Sequence, residues 1–183
     1  MIRQKLFTRA ENLKIIQEVL IMIVGKGAVG GEIIVARIEH GEDLLESLQK
    51  LCAENDIRNG VILSGYGTLC YASFFGMKST EYPPPDFFRW RKEEGYELLN
   101  FTGVIADYQI HAHMTISTQE KAVGGHMEKG CKVLTLAEVV IMKLENIKLK
   151  RMIDPNVKQN LLQVVDSYEG LEGKTDRKLP PYE

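Results

Sequence analysis

Cysteine is scarce. Cys52, Cys70 and Cys131 are the only three in 183 residues, unevenly spaced and without a C-x-x-C pair. That excludes a disulfide framework and suits reduced thiols in a cytosol. An excess of either charge is missing too: 23 Lys and Arg stand against 25 Asp and Glu, a net charge of −2. No global field therefore draws in nucleic acid or acidic lipid. A membrane-length apolar run is also absent. The most apolar part of the N-terminal segment, residues 15–24, is too short to span a bilayer and contains Gln17 and Glu18. It lacks the small-residue cleavage site of a signal peptide. The glycine-rich stretch 25–31, GKGAVGG, has neither the Lys-Ser/Thr ending nor the following helix of a phosphate loop, and reads as a flexible turn. No repeat and no domain-scale linker is visible, so one domain with an ordinary core is expected.

What is present is mostly strand. Residues 32–39, 61–65, 68–75, 97–103 and 104–108 are rich in β-branched and aromatic residues, with Gly65 and Gly67 as expected breaks. One helix is secure: Glu42 and Asp43 supply negative charge at its start, and Leu44, Leu45, Leu48, Leu51 and Cys52 form a core-facing stripe. His40, just before it, reads as an exposed turn residue. Two weaker helices are expected at the ends. In the first, Thr8 and Glu11 form a capping box ahead of Leu13, Ile16, Leu20 and Val24. The second opens at Asp154-Pro155 and runs over 156–165. Met22 could also be a start, and the charged stretch 170–183 reads as a mobile tail. Residues 133–152 read as a strand pair turning near Asn146. The resulting division is a helical extension at 1–31, a domain at 32–153, and a short helix with tail at 154–183. The fold class is α+β, a single domain with a mostly antiparallel or mixed β-sheet flanked by a few helices.

Three of the four histidines, His111, His113 and His126, fall in one short stretch, IHAHMTISTQEKAVGGHMEKGCKV. His111 and His113 share a strand face. The polar run 117–121 is a turn; centred between Gln119 and Glu120, it sets His113 directly opposite His126 on the returning strand. Gly124 and Gly125 would let that strand bulge and aim the third ring. Three imidazoles converging from rigid strands can hold a divalent metal such as zinc. The alternative is three unrelated histidines on a half-exposed sheet. Cys131, five residues past His126, could close a Cys-His₃ zinc site, but its odd spacing favours the core face. Glu138, alone in an apolar run, either hydrogen-bonds a metal-bound histidine or water, or pairs structurally with a base. Catalytic residues, if there are any, are not identified. Phe87, Phe88, Arg89 and Trp90, after Pro83-Pro84-Pro85, form an aromatic-arginine segment of the kind found at interface cores. The alternatives are packing on the domain's own core, or base stacking.

The pieces HAHMTIS, VGGHMEKGCKV and TLAEVVI, with ARIEHGEDLLESLQKL at 36–51, LSGYGTL at 63–69 and GYELLNFTG at 95–103, occur in order over residues 32–151. Together they resemble the plant-and-prokaryote-conserved (PPC) domain. The resemblance implies a compact α/β domain assembling as a homotrimer, with zinc held through the residues matching His111, His113 and His126. It also brings a DNA-binding label, earned in plant members by an AT-hook beside the domain. This sequence has no Arg-Gly-Arg-Pro core, so DNA binding by this chain alone is expected to be weak. A cytoplasmic, metal-binding regulatory or assembly protein is the resulting expectation. The rival is a zinc-dependent enzyme acting on a small substrate, distantly similar in fold to acetolactate decarboxylase.

Overall fold

Alternating burial governs the chain from residue 32 onward, and strands result. The computed structural model describes residues 22–28, 31–156 and 158–169. They form β1 (Met22–Ala28), β2 (Glu32–Glu39), α1 (Leu44–Glu54), β3 (Asn59–Met77), β4 (Phe87–Ala106), β5 (Gln109–Ser117), β6 (Ala122–Met127), β7 (Lys132–Lys143), β8 (Leu149–Ile153) and β9 (Asn160–Val164). The first seven strands make one sheet in the order β1-β2-β7-β3-β4-β5-β6, while β8 and β9 pair separately. All pairings are antiparallel. The sheet curls until β6 returns to the far end of β3, pairing Phe74 with Met127 and Phe75 with His126.

The concave face carries the core. Ile34, Ile38, Ile62, Leu69, Leu98, Phe101, Ile105, Met114, Ile116, Val139 and Ile141 are all buried there, together with Leu44, Leu48, Leu51 and Cys52 of α1. That helix starts where expected, because the Asp43 side chain accepts the Glu46 amide at 3.1 Å. The same carboxylate also accepts the Gly130 amide at 2.6 Å, tying the cap to the turn before β7. Burial pushes the Cys52 thiol up to about 12, so it acts as packing.

Several expectations are corrected. The fold is sheet-dominated, and α1 is the one α-helix among the described residues. Part of the helical extension expected at 1–31, and most of the turn expected at 25–31, is strand β1, whose residues 22–28 pair with β2; residues 1–21 lie outside the described residues. The helix expected at 156–165 is β9. Its pairing satisfies the edge of β8, with Arg151 opposite Leu162, and the turn closes through the Lys158 amide donating to the Asp154 carbonyl at 2.8 Å. The expected boundary at residue 154 therefore cuts a hairpin. Asn146 does lie at a turn, with φ of 53°. However, β7 uses both edges on β2 and β3, so β8 cannot pair with it. β3 runs through Gly65 and Gly67 as one strand, absorbing the expected breaks as register shifts against β7. The tail expected at 170–183 lies outside the described residues. No helix among the described residues is long and apolar enough to cross a membrane.

Candidate metal centre

Strand alternation decides where the histidines point. Ala112, Met114 and Ile116 of β5 are buried, so His111 and His113 project from the opposite, convex face. The β5–β6 turn closes with the Thr118 amide donating to the Lys121 carbonyl at 2.9 Å, and the Thr118 hydroxyl accepting from Glu120 at 3.2 Å. His113 then faces His126, the register implied by the sequence. The glycines act differently from expectation: the β5–β6 register carries no bulge. A Cβ on Gly124 would meet the Met114 carbonyl oxygen at 2.2 Å, and one on Gly125 the Phe75 carbonyl oxygen at 2.3 Å. Bare backbone lets β6 sit tightly between β5 and the end of β3, which fixes His126 beside the other two.

The ligand-type nitrogens of His111, His113 and His126 all lie within 4.8 Å of one another. The Nε2 atoms of His111 and His113 are 3.3 Å apart. A tetrahedral ion with bonds of about 2.0–2.1 Å holds two nitrogens about 3.3 Å apart, so this pair already fits. The His126 ring stands edge-on to both, with centroids 4.5 Å from His111 and 5.4 Å from His113. Its other side packs on Phe75 at 4.4 Å. Burial, then the charge of Arg151 and the neighbouring His113, lowers His111 to about 4. Burial, then His111, His113 and Arg151, lowers His126 to about 3. At neutral pH both rings are uncharged and present lone pairs, the state that metal ligation requires. A divalent ion fits this donor set, which carries no thiolate and no carboxylate.

The other candidates lie elsewhere. Glu138 is not in the cluster; its carboxylate accepts the Tyr66 hydroxyl on β3 and stands opposite Arg37 of β2. Cys131 is buried in the core, donates to the Ser73 carbonyl at 3.2 Å, and is pushed up to about 12 by burial, unsuited to act as a thiolate ligand. His40 is exposed and bonds the Leu134 carbonyl. The aromatic segment is strand β4 against β3. Trp90 stacks on Phe74 at 5.7 Å, Phe87 packs edge-on to Phe75 at 5.2 Å, and Arg89 binds Glu128 at 2.8 Å. Much of it thus packs on its own chain, with Phe88 still 38% exposed. Sequence reasoning missed Phe75 and Arg151 as neighbours of the histidines. Phe75 could have been found only by knowing that β6 folds back onto β3. Arg151 sat in a lysine-rich run with no pattern to single it out.

A curled antiparallel sheet with three histidines gathered on one face defines a β-rich domain with a candidate metal site. Residues 25–145 match the Plants and Prokaryotes Conserved (PCC) domain, and the chain belongs to that family. Two bifunctional GlmU proteins, from Synechococcus sp. strains JA-3-3Ab and JA-2-3B'a(2-13), are 28% and 27% identical over 120 residues. The match takes in 65% of this chain but 18% of theirs, so only a minor part of those relatives is represented here. Among solved structures, a metal-containing protein from Archaeoglobus fulgidus is similar with a TM-score of 0.64 at 20% identity, over 76% of this chain and 96% of that one. A protein provisionally described as DNA-binding, from Ralstonia eutropha, gives 0.63 at 23% over the same shares. A plant- and prokaryote-conserved protein from Pyrococcus horikoshii gives 0.61 at 21%, over 79% and 96%. At these identities the likeness establishes the fold.

Proposed function

We propose that this chain is a metal-binding domain protein whose three-histidine centre holds one zinc-like ion, and that duplex DNA is at most a weak ligand. The observation that carries the reading is the convergence of His111, His113 and His126 from two paired strands, with two of the rings kept neutral. A relative of the same fold is itself described as metal-containing. Bound there, a divalent ion would offer a fourth position and Lewis acidity. The chain's part is to hold the ligands on rigid strands, to seat His126 against Phe75, and to keep His111 and His126 unprotonated.

DNA is the second reading, because similar structures carry that description. The local charges argue against strength. In the basic run 143–151, Lys150 is buried and pairs with Asp107 at 3.5 Å, Lys143 donates to the Asn55 carbonyl at 3.3 Å, and Lys148 donates to the Asp166 carbonyl at 2.7 Å. Few cations are left to neutralise phosphates. For assembly we propose a homotrimer. Val35, Leu63, Tyr66, Leu99 and Leu134 are exposed apolar residues on neighbouring strands β2, β3, β4 and β7, a surface suited to subunit contact, with Phe88 a further contact. A cytoplasmic setting agrees with three unpaired cysteines.

The test is a zinc titration against a chromophoric chelator, comparing the wild type with His126→Ala and His40→Ala. One tight site per chain in wild type and His40→Ala, lost in His126→Ala, is expected. Equal binding by all three contradicts the assignment.

A further inference from the structure

The β8–β9 hairpin brings one cation to the histidines. Arg151 is half-buried on β8, and its charge acts on both His111 and His126. Its Nε is buried without a hydrogen-bond partner, and no carboxylate among the described residues is paired with it. The neighbouring lysines differ, since Lys150 has Asp107 and Lys148 has the Asp166 carbonyl. The placement is also built rather than incidental. Asn59, buried at the start of β3, accepts the Leu149 amide at 3.1 Å and donates to the Ile147 carbonyl at 3.0 Å. It also meets the Tyr168 hydroxyl beyond β9. β8 packs against β4, the strand whose Val104 and Thr102 lie opposite His111 and His113.

A half-buried guanidinium with an orphaned N–H is costly unless an anion completes it. Of the described carboxylates, Glu138 is committed to Tyr66, Glu128 to Arg89 and Arg91, and Asp107 to Arg58 and Lys150. Three imidazoles around a divalent ion, with a guanidinium near them, would leave a strong unbalanced positive charge. A flat, singly charged anion matches the planar fork of a guanidinium. A phosphate would call for further donors, and Arg89 and Arg91 are already held by Glu128.

We infer that Arg151 and the three-histidine centre together form a binding site for a small organic carboxylate, which the guanidinium would hold beside the centre. This rests on the metal-centre reading and names the ligand class that centre takes. The guanidinium positions the carboxylate and offsets its charge.

The test uses the full chain, stripped of metal and loaded with cobalt(II), whose visible spectrum reports its coordination. Acetate and inorganic phosphate are titrated separately into wild type, Arg151→Ala and Arg151→Lys, with cobalt stoichiometry measured for each. A saturable spectral change with acetate is expected. It should be roughly ten- to hundredfold weaker in Arg151→Ala, intermediate in Arg151→Lys, with one cobalt per chain throughout. Equal acetate affinity in wild type and Arg151→Ala overturns the inference, as does tighter binding of phosphate than of acetate. Cobalt bound with no response to acetate refutes the inference alone. Failure of wild type to bind cobalt refutes the metal reading and this inference with it.

Discussion

Replacing Gly125 by Ala tests how the fold seats His126. A Cβ at that position lies 2.3 Å from the Phe75 carbonyl oxygen and 3.0 Å from the Phe74 ring. An ordinary carbon-to-oxygen approach is about 3.3–3.6 Å, so β6 or the end of β3 must yield by roughly 1 Å. The short β3–β6 pairing, Phe74 with Met127 and Phe75 with His126, is what would open. Overpacking of this kind costs about 1–3 kcal/mol, and for a chain of this length each kcal/mol lowers Tm by about 2–4 °C. A fall of roughly 2–12 °C is therefore expected. His126 moves with its backbone, so zinc affinity should fall about 10–100-fold, the range seen when the support of a ligand is disturbed. Gly95→Ala is the control: nothing lies within 4 Å of its added Cβ, and Tm should hold or rise slightly. Calorimetry and chelator competition on the two variants suffice. Gly125→Ala with wild-type Tm and wild-type zinc affinity would refute the claim that bare backbone seats the third ligand.

The pH dependence has a definite sign. His111 and His126 stay neutral in the fold down to about 4 and about 3, whereas unfolded histidine protonates near 6.5. Between those values the unfolded chain binds more protons, so the two rings make stability of the metal-free protein fall as pH drops from about 6.5, until about 4 for His111 and about 3 for His126. Urea unfolding across that window should show a shallower slope for His126→Gln; an unchanged slope would count against the buried neutral ring. Asn59→Ala leaves the buried Leu149 amide without its acceptor and should cost about 1–3 kcal/mol. Hydrogen exchange should then quicken over β8 first, and uniform protection would contradict the role of Asn59 in holding β8. Fluorescence anisotropy with labelled duplex at about 50–200 mM salt should show only weak binding. A sub-micromolar, sequence-selective complex at the upper salt would make DNA the true ligand. Light scattering should report three chains per particle, and a monomer at micromolar concentration would contradict the proposed trimer.

Legibility followed the range of the interactions. The His113–His126 register could be derived because a hairpin is a local object, fixed by one polar turn and a period of two. The stripe of α1 was equally local. The return of β6 onto β3 was not, since it depends on sheet curvature accumulated over four strands, and with it went Phe75 as a wall of the centre. Residues 160–164 were misread because Leu161, Leu162 and Val164 suit either a helix or a strand, and the free edge of β8 decided the matter. Glu138 was expected beside a metal-bound histidine, a water or a base, and its partner is instead a hydroxyl. That partner, Tyr66, lies 72 positions away on a neighbouring strand, out of reach of any local pattern. Trp90 resembled an interface residue by composition, yet Phe74, brought alongside by the β3–β4 pairing, takes its ring.

Metal held by His111, His113 and His126 is read out by elemental analysis of the full chain purified without an affinity tag, alongside the His111→Ala, His113→Ala and His126→Ala variants prepared identically. One zinc-like ion per wild-type chain and a substoichiometric trace in each variant are expected. A wild-type protein free of metal that also takes none up when zinc is offered, or variants retaining one ion per chain, would contradict the metal centre.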